Sequence, residues 1–202
     1  MTTRREVLAG AAIFALATGL PNMALAAGEA PSPKLALLLR TVAQIVIPRG
    51  ETQGAGDVGV GAFLLLAFAH GLEGTRDPIR HPAPDWPLRE DGSLRYDLWL
   101  ERELDRRAAG SFLGKTPAQQ AGILGALDAE AFPAGPPPAT QSLGPNPWVA
   151  IKGLILTGYY TSEVGASREL QFNLIPGRWD ADIPLLPGAR AFSSDWTAVD
   201  FG

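Results

Sequence analysis

At three places in the chain a small polar residue stands directly before a proline and an apolar stripe at helical spacing follows: Ser32-Pro33, Thr116-Pro117 and Asn146-Pro147. A proline at the first helical position gives up an N–H that has no partner inside the helix. The Ser, Thr or Asn before it accepts from the free amides of the first turn. After Pro33 the stripe is Leu35, Leu38, Leu39, Val42 and Val46, with Pro48 ending the helix. After Pro117 it is Ile123, Leu124, Leu127 and Ala131, and Thr116 with Gln119 has the spacing of a capping box. After Pro147 the pattern predicts a helix over residues 148–160 in which Lys152 is the only charge. Two more helices are predicted without such starts. Residues 61–72 are almost uniformly apolar, through Phe63, Leu64, Leu65, Leu66 and Phe68, and are expected to be buried on most sides. Residues 94–108 carry Leu94, Leu98, Leu104 and Ala108 on one face and Glu101, Arg102, Asp105 and Arg106 on the other. No stretch alternates with period two over a useful length. The expectation is a mainly α fold: a small domain of about five helices, with long Pro/Gly-rich loops at 73–93 and 133–145 and an irregular C-terminal strap.

That strap, residues 161–202, has no period of either kind yet carries Phe172, Ile175, Trp179, Ile183, Leu185, Leu186, Phe192, Trp196 and Phe201. A solvated tail would not hold so many large apolar residues, and unstructured loops longer than about 15 residues are uncommon in a compact domain. The strap therefore lies along another surface, either this protein's own helices or a partner's, and the pattern favours neither. The apolar helix over 148–160 is placed to share that job.

The N-terminus has three parts: a polar start with Arg4 and Arg5, an apolar run over residues 7–20, and Ala24-Leu25-Ala26 as a small-x-small cleavage site. Fourteen residues fall short of the roughly 20 that span a bilayer. Residues 1–26 are thus expected to be a cleaved signal, leaving 27–202 as a single domain. Arg4-Arg5 just before the apolar run, with Leu8 inside it, fits the twin-arginine type; a general secretory signal with two arginines is the plainer alternative. The twin-arginine translocase carries folded proteins, often because a cofactor is inserted in the cytoplasm, and the mature protein is expected in the periplasm. Acidic residues number 21 against 17 basic, and losing Arg4, Arg5 and Glu6 moves the net charge only from −4 to −5. No basic patch points to nucleic acid or anionic lipid. With no cysteine, the chain has no disulfide, thiolate zinc site, iron–sulfur ligation or thioether-linked haem.

Chemistry-bearing patterns are few. Residues 54–59, Gly-Ala-Gly-Asp-Val-Gly, fit G-x-G-x-x-G. That turn cradles a pyrophosphate only between a parallel strand and a helix, and here the segment before it is a helix. The glycines are better read as a flexible entry into the second helix; Asp77 is about the right distance downstream for a ribose contact but sits before Pro78 in a loop. His70 and His81 are the two imidazoles, and neither has a metal-ligand pattern around it. No G-x-S-x-G elbow is present, and Glu101, Glu103 and Asp105 sit on a solvated face.

Residues 157–165, Thr-Gly-Tyr-Tyr-Thr-Ser-Glu-Val-Gly, resemble the gluconate 2-dehydrogenase subunit 3 family, the small subunits of membrane-associated, flavin-dependent sugar and polyol dehydrogenases. Ile45-Val46-Ile47-Pro48, Gly54 to Val60, Thr116-Pro117-Ala118-Gln119-Gln120, and Pro176-Gly177 with Trp179 agree in order. The resemblance implies a non-catalytic chain holding no cofactor. Its large partner, of the glucose-methanol-choline type, bears FAD and oxidises a sugar, sugar acid or polyol. A membrane-bound multihaem cytochrome c subunit often takes the electrons, so any membrane association is through partners. The flavoprotein commonly lacks a signal, so this chain would escort it through twin-arginine export and stabilise it. Tyr159, Tyr160, Glu163, Phe172, Trp179 and Trp196 are expected at or near the partner surface, with packing in the chain's own core an equal alternative for any single aromatic among them. The rival readings are a stand-alone periplasmic enzyme, acting through spatially assembled carboxylates or His81, and a solute-binding or scaffolding module.

Overall fold

Five helices form where capped prolines and apolar stripes place them, in a computed structural model that describes residues 32–133, 146–172, 182, 184, 186–189, 192 and 193. They are α1 (Pro33–Val46), α2 (Val60–His70), α3 (Tyr96–Arg107), α4 (Pro117–Ala131) and α5 (Pro147–Tyr160). Short 3-10 turns at Leu72–Gly74 and Phe112–Gly114 and a π turn at Gly165–Glu169 connect or follow them. Among the described residues the only strands are the two-residue pieces β1 (Gln171–Phe172) and β2 (Phe192–Ser193), paired in parallel. The fold is mainly helical, as expected.

The starts obey local chemistry. Thr116 accepts from the Gln119 amide while the Gln119 side chain accepts from the Thr116 amide at 3.0 Å, completing the capping box. Asn146 accepts from the Trp148 amide at 3.0 Å, with Pro147 in the first turn of α5. α2 is bounded differently, by Gly59 at φ 88° and Gly71 at φ 79°. A side chain at Gly71 would be strained in that left-handed conformation, so the helix stops at His70 rather than at residue 72. Beyond the stop, the Thr75 hydroxyl donates to the Ala67 and Leu72 carbonyls, adding to the bonds these accept from the Gly71 and Thr75 amides.

The core is built around α5, which packs against α2, α3 and α4. α1 contributes Leu35, Leu38, Leu39, Val42 and Ala43; α5 contributes Trp148, Ile151, Leu154, Ile155 and Tyr159. Two expectations need correction. α2 buries Val60, Gly61, Leu64, Ala67 and Phe68 but leaves Leu66 49% exposed, so its apolar character exceeds what its neighbours cover. In α3 the inward residues are Tyr96, Trp99, Leu100 and Leu104, while Leu98 is only partly buried, because the helix begins after Leu94 and its phase follows the aromatics. Tyr96 stacks on Phe68 at 5.8 Å, and Trp99 meets Trp86 edge to face at 6.4 Å.

That Trp86 comes from the loop over residues 73–93, which is folded back on itself. Pro78 bridges Ser93 and Leu88 bridges Leu94. The Asp91 carboxylate accepts from the Ser93 amide at 2.9 Å, from its hydroxyl, and from the Arg76 guanidinium at 2.9 Å. The Ser93 hydroxyl and amide, ahead of the arginine, hold this carboxyl at a pKa of about 2. Its structural part is to seat Trp86 on the core.

Candidate functional site

Two motifs invited a functional reading, and both are occupied by the chain itself. The glycine motif follows α1, a helix, and its backbone lies on that helix. The Ala55 amide donates to Ile47 O at 2.9 Å. A Cβ on Gly54 would stand 2.7 Å from Ile47 O, and one on Gly56 would stand 2.7 Å from Arg40 O. The glycines permit this contact between loop and helix, and no concave ring of free amides is left for a phosphate. The motif's anion is internal: Asp57 accepts from Arg49 Nε at 3.1 Å, the Gly54 amide at 3.3 Å and Gln44 Nε2 at 3.4 Å. Partial burial opposes its charged form, but Arg49 and the Gly54 amide outweigh that and hold the carboxyl below its usual range.

The second motif, over residues 157–165, closes the C-terminal end of α5. Gly158 makes room for Phe63, whose Cδ1 would lie 2.6 Å from a Cβ there. The Tyr159 ring is in the core and its hydroxyl donates to Gln53 O at 3.0 Å. Thr52 Oγ1 lies 3.2 Å from that hydroxyl and donates to Glu169 Oε2 at 2.5 Å, which ties the loop after α1 to the π turn. Ser162 donates to Tyr159 O at 2.6 Å and accepts from the Gly165 amide at 3.1 Å. Gly165 packs so close to Tyr159 O that no side chain fits. The Gly-Tyr-Tyr-Thr-Ser-Glu-x-Gly pattern is thus, for the most part, a helix-ending clamp.

Of the residues expected at or near a partner surface, Tyr159 takes the core alternative. It is 1% exposed, because it falls on the same side of α5 as Trp148, Ile151 and Ile155, which precede it by eleven, eight and four residues. Tyr160, one residue on, turns outward at 39% exposure and packs edge to face on Tyr159 at 5.2 Å. Glu163 is exposed beside it. Phe172 lies in β1, with its side chain outside the described features. Trp179, Trp196 and the signal residues Arg4, Arg5, Leu8, Ala24 and Ala26 lie outside the described residues.

Tyr160 does not stand alone. Val149, Gly153 and Leu156 share its side of α5 and are also exposed. Phe132, just past α4, reaches the flank of this row, where Lys152 Nζ sits 4.5 Å above its ring. Lys152 is held by both Asp128 oxygens at 2.7 and 2.9 Å, and Trp148 Nε1 donates to the same carboxylate at 2.7 Å. Burial works against the Asp128 charge, yet Lys152 and Trp148 bring its pKa below the usual value. The legible signal for this row was a helix with one charge in fourteen residues; which residues formed it was not legible.

The remaining candidates for chemistry are sparse. Among the described residues no group of three His, Asp or Glu converges as a metal site, and no helix is long and apolar enough to cross a membrane. An open depression of about 530 Å³ between α3 and α4 is lined by Arg107, Lys115, Gln119 and Ile123. Its Arg107 already pairs with Glu103 and Glu130, and the Glu130 contact above all raises the guanidinium pKa.

A family model described as gluconate 2-dehydrogenase subunit 3 matches residues 33–177, a span that includes all five helices, the glycine loop and the clamp. No curated protein and no solved structure matches the chain. The chain belongs to the gluconate 2-dehydrogenase subunit 3 family, a family of dehydrogenase subunits.

Proposed function

We propose that this chain is the non-catalytic small subunit of a periplasmic flavin-dependent dehydrogenase acting on a sugar, sugar acid or polyol. It escorts the FAD-bearing large subunit, of the glucose-methanol-choline type, through twin-arginine export and stabilises it afterwards. FAD resides in the partner, and a multihaem cytochrome c subunit is the natural electron acceptor and membrane anchor. One observation carries the reading: the polar groups of both conspicuous motifs are consumed by internal contacts, while an uncharged row on α5 is left outward. Such a chain is equipped to be held by another protein. The arginine pair before a short apolar run supports the export half of the reading.

The test is fractionation of cells expressing the chain together with a flavoprotein of the glucose-methanol-choline type from the same source. Replacing Arg4→Lys and Arg5→Lys together is expected to leave both proteins in the cytoplasm, where the unmodified pair reaches the periplasm. A flavoprotein that still arrives in the periplasm with the double variant would rule out the escort role.

A further inference from the structure

We infer that the outward row of α5, centred on Gly153 and flanked by Phe132, is the surface on which the FAD-bearing subunit seats; this rests on the companion-subunit reading above. Val149, Leu156 and Tyr160 are 43%, 39% and 39% exposed, and Phe132 is 47% exposed. On a helix these positions, with Gly153 between them, form one continuous ridge. A helix that is apolar on every side is normally covered on every side, and the described neighbours α2, α3 and α4 cover only the face opposite.

The chemistry of the ridge selects its occupant. Lys152, the cation at its flank, is neutralised by Asp128. Helices that lie on lipid carry surplus Lys and Arg along their polar border, so a membrane surface fits poorly. A second copy of this chain also fits poorly, on area. The four large side chains offer on the order of 300 Å² of apolar surface. Two such ridges facing each other would bury about 600 Å², half of the roughly 1,200 Å² at which stable interfaces begin. A larger partner reaches that size by continuing from the ridge onto the exposed Glu163 and residues 166–168. Its matching surface is apolar and uncharged, since a charge pressed against this row would be desolvated without a partner. Gly153 has nothing within 4 Å of where a Cβ would stand, so it lets an opposing backbone come close.

The experiment co-expresses the tagged full-length chain with an FAD-loaded flavoprotein of the glucose-methanol-choline type from the same source and measures retained flavin and affinity. Leu156→Glu is expected to weaken binding at least about tenfold, and Gly153→Leu to do so by blocking close approach. Leu37→Glu, at a residue 52% exposed on α1, is expected to bind like the unmodified chain. Gly153→Leu keeps the test valid if Leu156→Glu fails to fold, because leucine is the better helix former. If the unmodified chain retains the flavoprotein and both α5 variants retain it equally well, the docking surface is wrong and the companion reading stands. If the unmodified chain retains none, both fall. A free chain that dimerises in a manner abolished by Leu156→Glu would hand the ridge to a second copy and overturn the inference.

Discussion

The two long faces of α5 are nearly alike in composition and opposite in circumstance. One carries Trp148, Ile151, Ile155 and Tyr159 into the core; the other holds Val149, Gly153, Leu156 and Tyr160 out to solvent. Hydrophobicity therefore does not by itself assign a residue to a core. What separates the faces is the presence of α2, α3 and α4 on one side. Where apolar surface outruns the neighbours available among the described residues, the remainder is open to a further one.

The strongest way to break this contrast is truncation on each side. Ile155→Ala removes methylenes from a position that is fully buried and is expected to cost the mature chain about 2 to 4 kcal/mol in chemical denaturation. Leu156→Ala, one residue along, is expected to cost no more than about 0.5 kcal/mol. Equal losses would show that the outward face is packed in solution. The glycines sharpen the same contrast with opposite signs. Gly158→Ala drives a methyl into the Phe63 ring, 2.6 Å away, and is expected to destabilise by roughly 1 to 3 kcal/mol. Gly153→Ala, in open space within the helix, is expected to stabilise by about 0.5 to 1 kcal/mol.

The smallest effect belongs to the border between the faces, where Asp128 holds Lys152 and Trp148. The folded state keeps the Asp128 carboxyl below its usual 3.8 despite some burial, because Lys152 and Trp148 favour the ionised form. A depressed carboxyl stabilises the fold above its unfolded pKa and loses that contribution as pH falls through the folded value. The stability gap between the unmodified chain and Asp128→Asn is thus expected near neutrality and to shrink below about pH 4. A gap independent of pH would show that the carboxylate's charge is not what orders this corner.

What could be read from the residues alone was what local chemistry decides. Pro33, Pro117 and Pro147 start their helices, and the Thr116–Gln119 box closes as its spacing requires, since each involves groups within one turn. The orientation of α5 was not readable, because every side of it is apolar and only tertiary neighbours choose among them. That is why the residues alone could not choose between the core and a partner surface for Tyr159. The loop over 73–93 concealed its order for another reason: its fold rests on Asp91, Ser93 and Arg76, polar contacts that leave no periodic trace. The phase of α3 depended on Tyr96 and Trp99 finding Phe68 and Trp86, residues from other segments. The helical part of the site was foreseen as a stretch and not as a face.

The Thr52 hydroxyl meets Tyr159 and Glu169 across 107 and 117 positions of chain. Closing loops of that length costs chain entropy, which the packing of the segments in between must offset. The junction therefore staples the loop after α1 to the turn behind α5, and a chain whose α5 is displaced loses both of its bonds together.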